Sequence, residues 1–102
     1  MRIVWSKKFQ HRLKTYFEYC LQNYGKALTQ RKRNEYDKIM HRISAFSESG
    51  FIEPLLRDAR KEYRAIIFDK KYKIIYTISE FEITIQNLWD MHRNPETLKN
   101  DI

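Results

Sequence analysis

Between Phe9 and Phe46 apolar side chains recur every three or four positions, and from Tyr63 to Trp89 they recur every second position. The first spacing gathers them on one face of a helix, and the second sends them to alternate faces of strands. A chain of 102 residues that changes period once is too short to build two separate cores. One domain spanning residues 1–102 is therefore predicted, of α+β class, with a helical layer covering a sheet.

The details refine that expectation. Arg2 to Ser6 reads as a short strand, with Ile3 and Trp5 on one face and Val4 on the other. Ser6 then stands where a hydroxyl takes an otherwise unpaired amide at a helix start. Phe9, Leu13, Tyr16, Phe17 and Cys20 make one helical face, and Gly25 is the expected left-handed terminator. A second helix, at about residues 27–47, has Tyr36, Ile39, Ile43 and Phe46 on its apolar side and Arg31, Arg33, Lys38 and Arg42 on the other. Two helices with a short joint form a hairpin. The runs YRAIIFD (63–69), YKIIYTI (72–78) and FEITIQNLW (81–89) are separated by two-residue gaps, so they are expected to pair antiparallel. Strict alternation places Trp89 with Ile83 and Ile85. The predicted order is β-α-α-β-β-β, an N-terminal helical hairpin packed on a four-stranded, mostly antiparallel sheet, with the far side of the sheet at least partly open.

Composition narrows the chemistry. A hydrophobic content of 42% with only two Gly and two Pro is that of a folded globular chain. The lone Cys20 has no second thiol for a disulfide, which suits a reducing, cytoplasmic setting, and it sits on an apolar helix face where packing is its natural role. His11, His41 and His92 are scattered, with no i, i+4 partner, so no metal site is expected. No phosphate loop or nucleophile elbow is present, and no cofactor is expected. The run MRIVWSKKFQ is too short in apolar residues for a signal peptide, and no stretch reads as a membrane span. Charge is lopsided: residues 1–42 hold 11 Lys/Arg against 3 Asp/Glu, whereas residues 43–102 hold 9 against 10. That imbalance suits an anionic partner such as nucleic acid, a ribosome surface or an acidic peptide, and equally a solvated helical surface.

The candidate functional side chains are attached to the predicted sheet. Arg60 and Arg64 lie at the start of the second strand, Lys73 on the third, and His92 and Arg93 just past the fourth. Guanidinium and ammonium groups suit phosphate binding, and an imidazole or carboxylate beside them can move a proton. Tyr72, Tyr76 and Trp89 suit stacking on bases, but aromatic residues at period two also suit a core. The same cations also read as solvated strand residues, with Arg93 paired to Asp90 or Glu96.

Five stretches in order, IVWS (3–6), SESGFIEPL (47–55), EYRAIIF (62–68), YKIIYTI (72–78) and WDMHRNPETL (89–98), carry a resemblance across the whole chain. The sequence resembles the RelE/ParE superfamily of toxins from bacterial type II toxin–antitoxin systems, and looks most like the plasmid-stabilisation, ParE-like branch. Its ending is similar to the Asp-x-Arg-x-Asn-Pro ending of that branch, shifted by one because His92 precedes Arg93. The resemblance implies one of two actions. RelE-like members cut mRNA on the ribosome; that set would map to Arg64, to Lys73 three before Tyr76, to His92, and to Glu53 in the EPL turn. ParE-like members lack it and inhibit growth by binding DNA gyrase; Arg60, Tyr76, Trp89 and Arg93 would then serve target binding. An inactive basic binding module is a third reading. The resemblance also implies a cognate antitoxin with an acidic, amphipathic segment.

Overall fold

The computed structural model describes residues 1–102. β1 (Arg2–Trp5) leads into a helical segment α1 (Lys7–Ala45), followed by β2 (Phe51–Ile52), β3 (Tyr63–Phe68), β4 (Tyr72–Ile78) and β5 (Glu82–Asp90). Short 3-10 turns occupy Ser47–Ser49, Pro54–Leu56 and Pro95–Asn100. No helix is long and apolar enough to cross a membrane.

The α+β class stands, but the sheet has five strands and is mixed. Its order is β1-β5-β4-β3-β2. The β3–β4 and β4–β5 pairs form the expected antiparallel meander, while β1 lies parallel to β5 with Ile3 opposite Ile83. The fifth strand is β2, two residues paired with Ala65 and Arg64. So short an element leaves no periodicity in the sequence to read.

The helical layer keeps the expected reversal at Gly25 but differs in detail, having no separate joint between its two arms. Helical structure runs from Lys7 to Ala45 as one segment, interrupted only at Gly25, where φ is 82° and ψ is 176°. A straight helix of this length would span about 58 Å, whereas the longest dimension of the molecule is 40 Å. The chain therefore reverses at that one residue, and rings 27 positions apart meet: the centroids of Phe9 and Tyr36 are 6.3 Å apart. Left-handed backbone of this kind favours glycine, which has no Cβ to clash. At the segment's start, Ser6 accepts a hydrogen bond from the Phe9 amide at 3.0 Å, as its position predicted.

Two apolar clusters follow. The larger lies between the helical arms and one sheet face, and includes Phe9, Phe17, Ile43, Phe68, Ile74 and Tyr76. The smaller lies on the other face and unites Leu56, Ala65, Ile75, Trp89 and Leu98. That far face is thus closed in part by the Pro54–Leu56 and Pro95–Asn100 turns, which contribute Leu56 and Leu98. A bulge between Ile75 and Tyr76 shifts the β4–β5 register from Ile75↔Asn87 to Tyr76↔Ile85. The extra β5 residue inverts the alternation beyond it. Leu88 consequently joins the helix-side cluster, and Trp89 leaves Ile83 and Ile85 for the opposite face.

Candidate functional site

The sequence-predicted residues do not converge on one surface. Arg64 stands opposite Tyr76 in the β3–β4 ladder, and directly opposed residues share a face. Both belong to the helix side, where they grip the segment after α1. Arg64 Nη1 donates to the carbonyls of Gly50 at 2.8 Å and Glu48 at 3.2 Å. The Tyr76 hydroxyl donates to the Ser47 carbonyl at 2.7 Å and accepts from the Gly50 amide at 2.9 Å. Gly50 is needed here for space: a Cβ would lie 2.7 Å from the Tyr76 hydroxyl and 2.8 Å from the Ala65 carbonyl.

Lys73 stands opposite Trp89 and Ile67, hence on the far face. Its ammonium lies 2.6 Å from Oε1 of Glu53, a carboxylate that is 0% exposed, while Oε2 of Glu53 accepts from the Leu55 amide at 3.0 Å. Lys73 and Glu53 therefore neutralise one another and fasten the Pro54–Leu56 turn to the sheet. Trp89, at 1% exposure, and Tyr76, at 0%, are core residues with no free face for a base. Arg60 is exposed beside Arg57 and Tyr63, away from the others. Arg93 is exposed, with its guanidinium 4.7 Å from the Trp89 ring and 3.6 Å from an Asp101 oxygen, rather than paired with Asp90 or Glu96.

One group of candidates does share a groove. It is about 770 Å³ in volume and runs between the first arm of α1 and the junction of the β3–β4 turn with the end of β5. His11, Thr15 and Tyr19 line it from the helix at steps of four residues, which is one stripe. Lys71, His92 and Arg93 line it from the sheet. The Met91 amide donates to the Lys71 carbonyl at 2.9 Å, so the turn and the strand end are held together. The Asp90 carboxylate accepts from the His92 amide at 2.8 Å and lies 3.1 Å from its Nδ1, which fixes the imidazole. Sequence reading singled out His92 and Arg93 but missed His11, Tyr19 and Lys71. The polar stripe at 11, 15 and 19 was the available signal; the facing elements were not available without a fold.

Two charged webs fix the groove's walls. Arg12 donates to Asn87 Oδ1 at 2.6 Å and to both oxygens of Asp101 at 2.6 and 2.9 Å, tying the helix to β5 and to the final turn. The Arg12 hydrogen bonds, outweighing partial burial, hold the Asp101 carboxyl well below the usual carboxylate range. In the β3–β4 turn, Asp69 and Lys70 have φ of 52° and 58°. Two successive left-handed residues suit the twist of a hairpin, but non-glycine residues adopt them at a cost of about 1–2 kcal/mol each. Asp69 is held there from three sides: by Lys32, by the Tyr16 hydroxyl at 2.7 Å, and by its own amide donating to Glu35 at 2.7 Å. Burial opposes ionisation of Asp69, yet the bonds from Lys32 and Tyr16 prevail and lower its pKa.

No protein-family model matches the sequence. No curated protein sequence matches it either. Among solved structures, a chain of the chromosomal ParDE TA system from P. aeruginosa superposes with a TM-score of 0.69 at 12% identity, covering 88% of this chain and 95% of that one. The two chains have the same fold. At 12% identity the likeness establishes the backbone fold and carries no residue's role from that chain to this one.

Proposed function

We propose that this chain is the toxin of a bacterial type II toxin–antitoxin module of the plasmid-stabilisation kind. It would inhibit growth in the cytoplasm by a ParE-like binding action on DNA gyrase, and be neutralised by a cognate antitoxin through an acidic, amphipathic segment. The fold it shares with a ParDE chain over most of both lengths supports the module. One observation carries the choice of binding over cleavage: Arg64 and Lys73 point to opposite faces of the sheet. That arrangement weighs against a single phosphodiester held by both, and each cation is already engaged by Gly50 or Glu53. The excess of cations in residues 1–42 supports an acidic partner.

Supercoiling by purified gyrase is expected to fall as the protein is added and to recover when the antitoxin is supplied. Undiminished supercoiling at a molar excess of protein would refute the gyrase reading. A RelE-like endoribonuclease is favoured by a separate observation, the Asp90–His92 pair, because a carboxylate on Nδ1 orients the imidazole for proton transfer. Cleavage of translated mRNA that disappears in His92→Ala would establish it in place of the binding reading. Expression without effect on growth, in cells lacking an antitoxin, would leave the inactive basic module.

A further inference from the structure

We propose that the groove between the first arm of α1 and the end of β5 is a nucleotide-binding site, with phosphate among Lys71, Arg93, His11 and His92 and the base on Tyr19. This inference does not rest on gyrase or on the ribosome as target. Its volume, about 770 Å³, is that of a small-ligand site. Its hydrogen-bonding groups come from three separate elements and meet only through the fold: the His11 imidazole from α1, the Lys71 ammonium from the β3–β4 turn, and the His92 imidazole and Arg93 guanidinium from the chain beyond β5.

These groups remain available. Lys32 takes up Asp69, the carboxylate nearest in sequence to Lys71. Arg12 holds Asp101 at 2.6 Å, leaving Arg93 at 3.6 Å from the same oxygen, the looser of the two pairs. Asp90 is occupied at Oδ1 by His92, whose other ring nitrogen is left for a ligand oxygen. Independently, the left-handed Asp69–Lys70 pair is maintained by bonds from Lys32, Tyr16 and Glu35, and its consequence is the placement of Lys71 at the groove. Tyr19 is 54% exposed and lines the same groove, and its one aromatic neighbour, Tyr24, meets it edge to face, so the exposed part of the ring is the surface offered to a base. Asp90 favours a nucleotide over an acidic peptide because it can accept from a base amino group or a ribose hydroxyl, donors that the carboxylate side chains of such a peptide lack.

The test is titration of the isotope-labelled 102-residue chain, followed by amide resonances, with adenosine 5′-monophosphate, adenosine, inorganic phosphate and a hexaglutamate peptide. The monophosphate is expected to bind saturably and to shift the amides of Thr15, Tyr19, Lys71, His92 and Arg93. Removing its base, or replacing Tyr19 by Ala, should weaken binding by about tenfold. The exposed pair Lys71→Glu/Arg93→Glu should weaken it by at least about tenfold, whereas the charge-matched pair Lys38→Glu/Arg42→Glu, on the second arm, should leave it unchanged. Retained melting temperatures would show that each variant is folded. Shifts confined to the second arm, equal losses in the two charge-reversal pairs, or tighter groove binding by hexaglutamate would each overturn the proposal.

Discussion

The two faces of the sheet are closed by different means. On the helix side, long arms present a continuous apolar surface from Phe9 to Ile43, and the core there joins 13 buried residues. On the far side only 5 residues form the core, under two 3-10 turns that are too short to bury a face by themselves. Those turns are held by charge instead: Glu53 to Lys73 below one, Asp101 to Arg12 and Asn87 below the other. Where apolar area is scarce, directional polar bonds set position. This explains why Lys73, which read as chemistry in the sequence, serves as a fastener on the far face.

The comparison is broken most severely by removing one partner of the buried pair. Lys73→Met leaves the Glu53 carboxyl without its partner in the interior, and is expected to cost about 3–5 kcal/mol in urea unfolding. Adding Glu53→Leu should recover most of that loss, because an apolar pair of similar volume substitutes well for a buried ion pair. If the single and double variants were equally unstable, the far face would depend on packing rather than on charge.

The helix side has its own weak seam at Gly50. Gly50→Ala drives a methyl against the Tyr76 hydroxyl and the Ala65 carbonyl, and the carbonyl belongs to a paired strand that resists movement. A loss of about 2 kcal/mol is expected in the same assay, within the usual range for overpacking. No loss would show that the segment after α1 is free to shift.

A smaller effect sharpens the role of Asp101, which joins the far-face cover to the helix. Its folded pKa is depressed below the ordinary value of 3.8, chiefly by Arg12. The folded state therefore binds the proton less readily than the unfolded chain, so this carboxylate stabilises at neutral pH. That contribution is complete above about pH 4 and is lost as pH falls below it. Asp101→Asn should cost about 1–2 kcal/mol at pH 7, and the gap to the parent should narrow in acid. A gap that widened in acid would contradict the assignment. At the bottom of the scale, the exposed Arg2–Glu82 pair belongs to neither core, and Glu82→Gln should change stability by less than about 0.5 kcal/mol.

The sequence made the helix side legible because its devices are local. Ser6 as cap, Gly25 as the reversal and Tyr72–Ile78 as a strand each depend on neighbours within a few positions. The far side was legible only in pieces. Strict alternation put Trp89 on the wrong face, since one extra residue in β5 inverts the pattern and nothing in its composition announces a bulge. The pairing of β1 with β5 joins segments about eighty positions apart, and β2 is too short to show a period. Of the candidate residues, His92 and Arg93 do line a groove, whereas Arg64 and Lys73 were separated by a register that local sequence does not encode.

The most direct trial of these roles is growth inhibition by the Glu53→Leu/Lys73→Met double variant, expressed without antitoxin beside the parent chain. With the fold verified by its melting transition, and on the toxin function proposed above, the variant should arrest growth as strongly as the parent, because the buried pair supports the sheet. A folded variant that had lost its effect on growth would contradict that account and return Lys73 and Glu53 to the working surface of the protein.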